Sequence, residues 1–256
     1  MAKSAYEYVK EFESSDVITP NVWIVVRIDG KCFHKFADTH HFKKPNDLCC
    51  LDLMNKCASN VMQEIHDIIL AYGQSDEYSF VFERNTRLYK RRLMKILTHV
   101  CSLFSVSFAV HWNDFFPDVR MKGLPSFDGR IVTYPTNKNL RDYLSWRQTD
   151  CHINNLYNTT FWNLVQLEGV SRKEAEERIR HTISSGKHEI LFQLGVNYNN
   201  EPEQFRKGTL IVKEKINKKQ VIVENSVNIN TRLCLTFTDI IGDSFWEKNP
   251  YILSTD

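Results

Sequence analysis

Ile68-Ile69-Leu70-Ala71-Tyr72-Gly73-Gln74-Ser75-Asp76-Glu77-Tyr78-Ser79-Phe80-Val81-Phe82 reads as two strands folded about a polar tip. Aromatic and aliphatic runs over 68–72 and 78–82 flank Gly73 to Glu77, which carry the turn. Upstream, Val22 to Ile28 is almost wholly apolar and β-branched, so it predicts a strand buried on both faces. Between the two, Asp47 is placed to cap a helix whose Leu51, Met54, Ala58, Val61, Met62 and Ile65 recur at helical spacing. Downstream, the stripe Tyr89, Leu93, Ile96, Leu97, Val100, Phe104 and Phe108 predicts a second helix. Arg130 to Tyr134 then predicts a fourth strand, stopped by Pro135.

The resulting order, β-α-β-β-α-β, is the ferredoxin-like split arrangement: an antiparallel sheet with two helices on one face. Several nucleotidyl-transfer enzymes use such a sheet as a palm. The expected class is therefore α+β, polymerase-palm-like, with a helical second half and a small C-terminal β or irregular segment. Residues 1–135 form the expected palm-like catalytic part, and 136–256 a helical and C-terminal part, joined as one integrated domain. Ser171-Arg172-Lys173-Glu174 is a capping box for a helix through His181. Residues 208–216 and 220–224 read as a hairpin about Asn217-Lys218-Lys219, and 233–256 as irregular.

The chain has 256 residues, 42% hydrophobic and 25% charged, the profile of an ordinary globular protein. Its net charge of +2 does not announce nucleic-acid binding, so any basic surface must arise from local clustering. The seven cysteines are odd in number and lack a CxxC pair, which argues against a disulfide framework or zinc knuckle and for a reducing compartment. No signal-peptide core is evident, and no stretch is expected to reach the ~18 apolar residues of a membrane helix.

The topology makes the first and third strands neighbours. Asp29, at the end of one, is thereby set beside the turn carrying Asp76 and Glu77. Carboxylates on adjacent strand ends can share hard divalent cations, and Mg²⁺ is commonly held by one or two carboxylates plus phosphate oxygens. The Gly30 carbonyl is a further candidate ligand. Both signatures are also ordinary turn residues, a reading weakened by the pairing of Asp76 with Glu77 and by the adjacency of the strands. Asp29 to His34 leave a strand, and their backbone amides could cradle a triphosphate with Lys31 and His34 as added donors. The segment lacks Walker A spacing. Arg87, Lys90, Arg91, Arg92 and Lys95 form a basic stripe, read either as a phosphate grip or as a solvated helix face, and Lys43-Lys44 is a smaller cluster of the same kind. In His152-Ile153-Asn154-Asn155-Leu156-Tyr157-Asn158-Thr159, amides and aromatics suit the reading of splayed RNA bases, or a helix end with buried capping amides.

These stretches resemble one family, the tRNA-histidine guanylyltransferases, which add G to the 5′ end of histidine tRNA in the reverse, 3′–5′ direction. The matching stretches include Arg27-Ile28-Asp29-Gly30, Lys44-Pro45-Asn46-Asp47, residues 71–80, Phe127-Asp128-Gly129-Arg130, residues 143–148 and 150–158, and Ile240 to Trp246, spread from about Tyr6 to Trp246. The resemblance implies a nucleotidyltransferase that uses ATP to adenylylate the tRNA 5′-phosphate. The GTP 3′-hydroxyl then attacks, AMP leaves, and the new triphosphate is trimmed. It implies two Mg²⁺ ions on Asp29, the Gly30 carbonyl and Asp76, with Glu77 as a supporting acid. The implied nucleotide pocket is Asp29, Gly30, Lys31, Cys32, Phe33, His34, Ser75 and Asp76, with phosphate contacts from Lys44, Arg92 and Lys95. The implied tRNA contacts are His152, Asn155, Lys187, Asn199 and Lys207. The implied partners are histidine tRNA, GTP, ATP and further copies of the chain as a homo-oligomer, a tetramer, with no membrane. The expected compartment is the cytoplasm, with the nucleus and mitochondrion as further sites. Two rival classes remain open at this stage. A nucleotidyl cyclase on the same palm would need no RNA, and a non-catalytic tRNA-binding module would be indifferent to Asp29 and Asp76.

Overall fold

The computed structural model describes residues 4–13, 16–215 and 231–254. After a 3-10 turn at Glu7–Phe12, the first half runs β1 (Trp23–Gly30), α1 (Phe33–Thr39), α2 (Leu48–Glu64), β2 (Ile68–Gln74), β3 (Glu77–Phe82), α3 (Leu93–Phe115) and β4 (Phe127–Tyr134). The second half runs α4 (Asn137–Asn163), α5 (Arg172–Ile179), α6 (Ser184–Gln193), α7 (Glu203–Lys207), β5 (Thr209–Lys215), β6 (Thr231–Thr236) and α8 (Asp243–Lys248). The six strands form one sheet in the order β4-β1-β3-β2-β5-β6, and every neighbouring pair is antiparallel. Its first four strands reproduce the expected split arrangement with β1 and β3 at the centre.

The double-sided apolar character of β1 has a direct consequence. Ile24, Val26 and Ile28 face one way and pack with Tyr78, Phe80 and Phe82 under α2 and α3. Trp23 and Val25 face the other way and pack with Leu70, Tyr72 and Val81 beneath Leu140, Tyr143 and Leu144 of α4. A strand apolar on both faces needs two covering layers, and α4 with the C-terminal Ile240, Phe245, Trp246 and Ile252 is the second. The sheet is thus continued by β5 and β6 and covered on both sides, beyond the single helical layer expected from the element order.

Several local expectations are corrected. The Tyr89 end of the second helical stripe is not helical. Leu88–Arg91 is a tight turn with Tyr89, Lys90 and Arg91 at positive φ, and α3 begins only at Leu93. The helix opened by Ser171, whose Oγ accepts from Glu174 N at 3.2 Å, stops at Ile179 short of His181. The partner of β5 is β6, inside the stretch read as irregular, while the strand read at 220–224 lies outside the described residues. By length and composition alone α3 could cross a membrane (23 residues, mean hydropathy 1.7 over an 18-residue window), contrary to expectation. Here its Ile96, Val100, Phe104, Phe108 and Trp112 are buried in the core it shares with α2 and the sheet. Asp47 caps α2 as expected, accepting from Cys50 N at 3.2 Å.

Candidate active site

The acids are brought together by strand register. Asp29 on β1 stands opposite Glu77 on β3 and Asp128 on β4, and Glu77 stands opposite Gln74 on β2. Opposed residues of antiparallel strands project to the same side. Asp128, Asp29, Glu77 and Gln74 therefore form one row, on the face that Trp23 and Val25 also occupy by two-residue alternation. Ser75 and Asp76 close the β2–β3 hairpin, Ser75 in the left-handed region at φ 50°. The Ser75 hydroxyl donates to Asp76 Oδ1 at 3.0 Å, and the Asp76 carbonyl accepts from Gly30 N at 3.1 Å, which ties the turn to the end of β1. Gly73, expected in the turn, lies within β2. The Tyr78 ring covers it so closely that a Cβ there would stand 2.2 Å from Cε2, and the Tyr78 hydroxyl donates to buried Asn55 Oδ1 at 2.7 Å.

Charge sorts these acids into two kinds. Burial first, then the charge of Asp29, pushes the Asp76 carboxyl above its ordinary value. Among the described residues neither Asp29 nor Asp76 forms an ion pair with a side chain. Glu77 differs. Arg147 Nε lies 3.0 Å from its Oε1 and Arg27 Nε 3.7 Å from its Oε2, and these cations oppose the burial that raises its carboxyl. Arg147 also reaches Asp150 Oδ2 at 2.5 Å and stacks its guanidinium 4.1 Å from the centre of the Trp146 ring. Two uncompensated carboxylates beside a glycine carbonyl are a donor set suited to hard cations. Among the described residues no three His, Cys, Asp or Glu side chains converge as a metal site. Mg²⁺ is usually held by only one or two carboxylates, with phosphate and water oxygens in its other positions.

The expected nucleotide residues divide. Lys31 and Cys32 are exposed just past β1, and Lys31 N donates to Ser126 O at 2.9 Å. Cys32 is left-handed (φ 53°) and starts α1, so a short helix stands where a loop was expected. The Phe33 ring packs 5.5 Å from Phe36 and 6.1 Å from Phe108, leaving only its backbone for a ligand. A Cβ on Gly30 would meet that ring at 2.7 Å. The charge of His34 acts on both Asp76 and Asp38. Lys44 pairs with Asp38 of α1 at 2.9 Å and sits 5.8 Å from the Trp162 ring centre.

Arg92 and Lys95 stand at the start of α3. Arg91 is buried and donates to the carbonyls of Ile18, Thr19, Val22, Arg84 and Thr86, so it braces the start of β1 and is no part of a solvated stripe. From there α3 runs back along the sheet toward the acids: a Cβ on Gly129, which pairs with Ile28 beside Asp29, would meet Leu97 at 2.9 Å and Cys101 at 2.4 Å. Lys95 is exposed two residues before Leu97.

The expected RNA residues gather around Tyr198 with two exceptions. His152 and His188 set their rings edge-on to Tyr198 at 5.6 and 5.4 Å. Burial, then the charges of His188 and Arg206, lowers the His152 imidazole below its ordinary value, which favours the neutral form. Lys187 adjoins His188 and donates to Thr182 O at 2.6 Å, and exposed Asn199 follows Tyr198. Lys207 sits apart, its Nζ on Glu203 and its carbonyl accepting from Tyr72 and Gln148. Asn155 is a correction. It is buried, with its amide spent on Asn46 and Tyr198, and has no free group for RNA. The run from His152 to Thr159, read as a helix end, lies inside α4.

Sequence reading gave no role to Arg27, Asp128, Arg147 or Asp150. Two were legible, since Arg27 lies two residues from Asp29 on the same strand face and Asp128-Gly129 mirrors Asp29-Gly30. Arg147 and Asp150 carry no local signal.

Residues 6–135 match the family described as tRNAHis guanylyltransferase, and residues 138–236 match the Thg1 C terminal domain. The tRNA(His) guanylyltransferase of Schizosaccharomyces pombe is 50% identical over 257 residues, 98% of each chain. The probable tRNA(His) guanylyltransferase of Bos taurus is 49% identical over 269 residues, covering 100% of this chain and 90% of the relative. Among solved structures, tRNA(His) guanylyltransferase from Saccharomyces cerevisiae superposes with a TM-score of 0.77 at 47% identity, over 88% of this chain and 97% of that one. A bacterial Thg1-like protein in complex with ATP shares the fold (TM-score 0.74, 21% identity, 99% and 100% coverage).

Proposed function

The chain belongs to the tRNA(His) guanylyltransferase family and is a nucleotidyltransferase, and from that premise we propose that it adds G to the 5′ end of histidine tRNA at the Asp29–Asp76 site, using ATP and GTP and two Mg²⁺ ions. The observation that carries this reading is the pair of neighbouring carboxylates, without ion-pair partners among the described residues, at the joined ends of β1 and the β2–β3 turn. Asp29, the Gly30 carbonyl and Asp76 would hold the ions. Bound Mg²⁺ supplies charge neutralisation on the phosphates and alignment of attacking and leaving oxygens.

The protein's own groups do the rest. The backbone from Asp29 to His34 offers amides toward the phosphates, with Lys31 and His34 as side-chain donors. Lys44 exchanges Asp38 for a phosphate oxygen. Glu77, held by Arg27 and Arg147, keeps the row of acids in register. An oxygen of the tRNA 5′-phosphate first attacks the α-phosphorus of ATP, the α–β anhydride bond breaks, and pyrophosphate leaves, giving an adenylylated 5′ end. The GTP 3′-hydroxyl then attacks the tRNA 5′-phosphorus, a new phosphodiester forms, and AMP leaves with the bonding electrons. Incubation with labelled GTP, ATP and 5′-monophosphorylated histidine tRNA tests this. A labelled extra G is expected. Cyclic nucleotide formed without RNA would indicate a cyclase instead, and tRNA binding with no transfer a non-catalytic module.

RNA selection is proposed to lie at the Tyr198 cluster, where the His152 imidazole and aromatic rings suit exposed bases. His152→Ala is expected to lower discrimination between histidine tRNA and another tRNA about tenfold. The single-turnover rate at saturating histidine tRNA should stay within about twofold, because His152 touches no catalytic acid. Loss of the chemical step with full selectivity retained would reverse this assignment. The tRNA 5′ end and its anticodon are separated by more than one protomer of this size readily spans, so the two are proposed to contact different subunits of a tetramer.

A further inference from the structure

The loop carrying Lys44 is gripped from one side by a single helical stripe. Asn46 Nδ2 donates to Asn155 Oδ1 at 2.8 Å. The Trp162 ring lies under the Lys44 ammonium at 5.8 Å, and Gln166 Nε2 donates to the Lys44 carbonyl at 3.4 Å. Asn155, Trp162 and Gln166 follow the spacing of one helix face. On that stripe Thr159 is wholly buried and its hydroxyl has no hydrogen-bond partner among the described residues, so the packing behind the loop is not saturated. A buried unpaired hydroxyl is a cost that a second seating of neighbouring groups relieves.

The same asparagine faces the other way as well. Asn155 Nδ2 donates to the Tyr198 hydroxyl at 2.9 Å. Burial pushes the Tyr198 phenol up to about 12, so its proton is held at neutral pH. Tyr198, His188, Phe192 and Asn197 line a cleft of about 680 Å³. A hydrogen-bonded chain thus runs from this cleft through Tyr198 and Asn155 to Asn46, the residue adjoining the Lys44-Pro45 pair.

We infer that Asn155 and Tyr198 are positioning residues for Lys44, so that the Tyr198 hydroxyl, acting through Asn155 and Asn46, sets where the Lys44 ammonium stands at the nucleotide site. The inference rests on the phosphate role proposed above for Lys44. It explains why a polar, poorly helix-forming asparagine occupies a buried position in the middle of α4. Asn155 does not read RNA itself. It passes a displacement of the Tyr198 ring to the loop.

A double-mutant cycle tests it, with single-turnover G addition to saturating histidine tRNA as readout. Tyr198→Phe keeps the ring and its packing and removes only the hydroxyl that links to Asn155, so the fold is retained where Asn155→Ala could fail. Tyr198→Phe is expected to slow G addition about tenfold in the wild-type background. In the Lys44→Ala background the same substitution is expected to change the rate by less than twofold, because the group it positions is gone. A purely structural role, or direct RNA binding by the hydroxyl, would give the same penalty in both backgrounds. That result with Lys44→Ala impaired overturns the relay alone, as does an unimpaired Tyr198→Phe. Wild-type rates in Lys44→Ala by itself would refute the phosphate role of Lys44, and the relay with it.

Discussion

Asp76→Ala is expected to lower G addition at least ~10³-fold, as is Asp29→Ala, with the fold intact in both. A metal ligand contributes several kcal/mol of charge stabilisation at the transition state, and each ~1.4 kcal/mol is a factor of ten. No neighbouring acid can substitute. Glu77 is engaged by Arg27 and Arg147, and Asp128 lies near Arg130 at 3.7 Å. The fold should tolerate the change, because the Asp76 carboxyl is held above its ordinary value by burial and by Asp29. A raised carboxyl favours the protonated form in the folded state. Its stabilising contribution is present below the ordinary carboxylate range and is lost as pH rises through the raised value. At neutral pH without Mg²⁺, Asp76→Asn should therefore melt higher than the wild type. Added Mg²⁺ should raise the wild-type Tm and leave the variant unchanged. Calorimetry with and without the ion, alongside the labelled-G assay, checks both. Substantial transfer activity in either alanine variant would remove the metal assignment.

Arg147→Ala should harm stability and activity together. The side chain is nearly buried and compensates Glu77 from α4, which covers the face that carries the acids. Removing one partner of a buried pair typically costs about 3 kcal/mol, because the other is left uncompensated. For a chain of this length that corresponds to a Tm lowered by roughly 5–10 °C. The loss should be larger at neutral than at acid pH. Burial already raises the Glu77 carboxyl and the arginines oppose it, so without Arg147 its ionisation is resisted still more as pH rises. G addition should fall about 100-fold, since Glu77 pairs with Asp29 in register and adjoins Asp76, and displacements of about 1 Å carry penalties of that order. Arg147→Lys should recover little. An ammonium lacks the fork that spans Glu77 and Asp150. Melting curves at two pH values and single-turnover rates decide it, and a variant within 1–2 °C of wild type at full rate would show the network to be dispensable.

The central elements of the fold were readable because their signals are short-range. Alternating or continuous apolar runs define β1 to β3. The 3.6-residue stripe and an aspartate cap define α2, and Ser75-Asp76 marks the turn. Element order then carried the adjacency of β1 and β3, and with it the meeting of Asp29 and Asp76. The double-sided burial of β1 was also legible, and it required the second layer that α4 provides. The same local logic failed where side chains are claimed by distant partners. Arg91 belongs to a basic run by composition, yet five backbone carbonyls from two other segments bury it, and the helix starts later as a result. Gly73 looks like a turn glycine, but the ring of Tyr78 across the strand is what excludes a side chain there. Asn155 looks like an RNA contact until its two partners, far away in sequence, account for its amide.

By itself the sequence determined the split β-α-β-β-α-β core, the two acids at its strand ends and the family to which those motifs point, all of which rest on periodicity, turn chemistry and neighbouring residues. Tertiary structure alone decided that β6 completes the sheet, that Arg91 is buried against the start of β1, that Arg147 and Asp150 share the charge of Glu77, and that Asn155 links Tyr198 to the Lys44 loop. Each of these depends on which distant segments share a surface once loops close and the core packs, and no window of sequence contains both sides of such a contact.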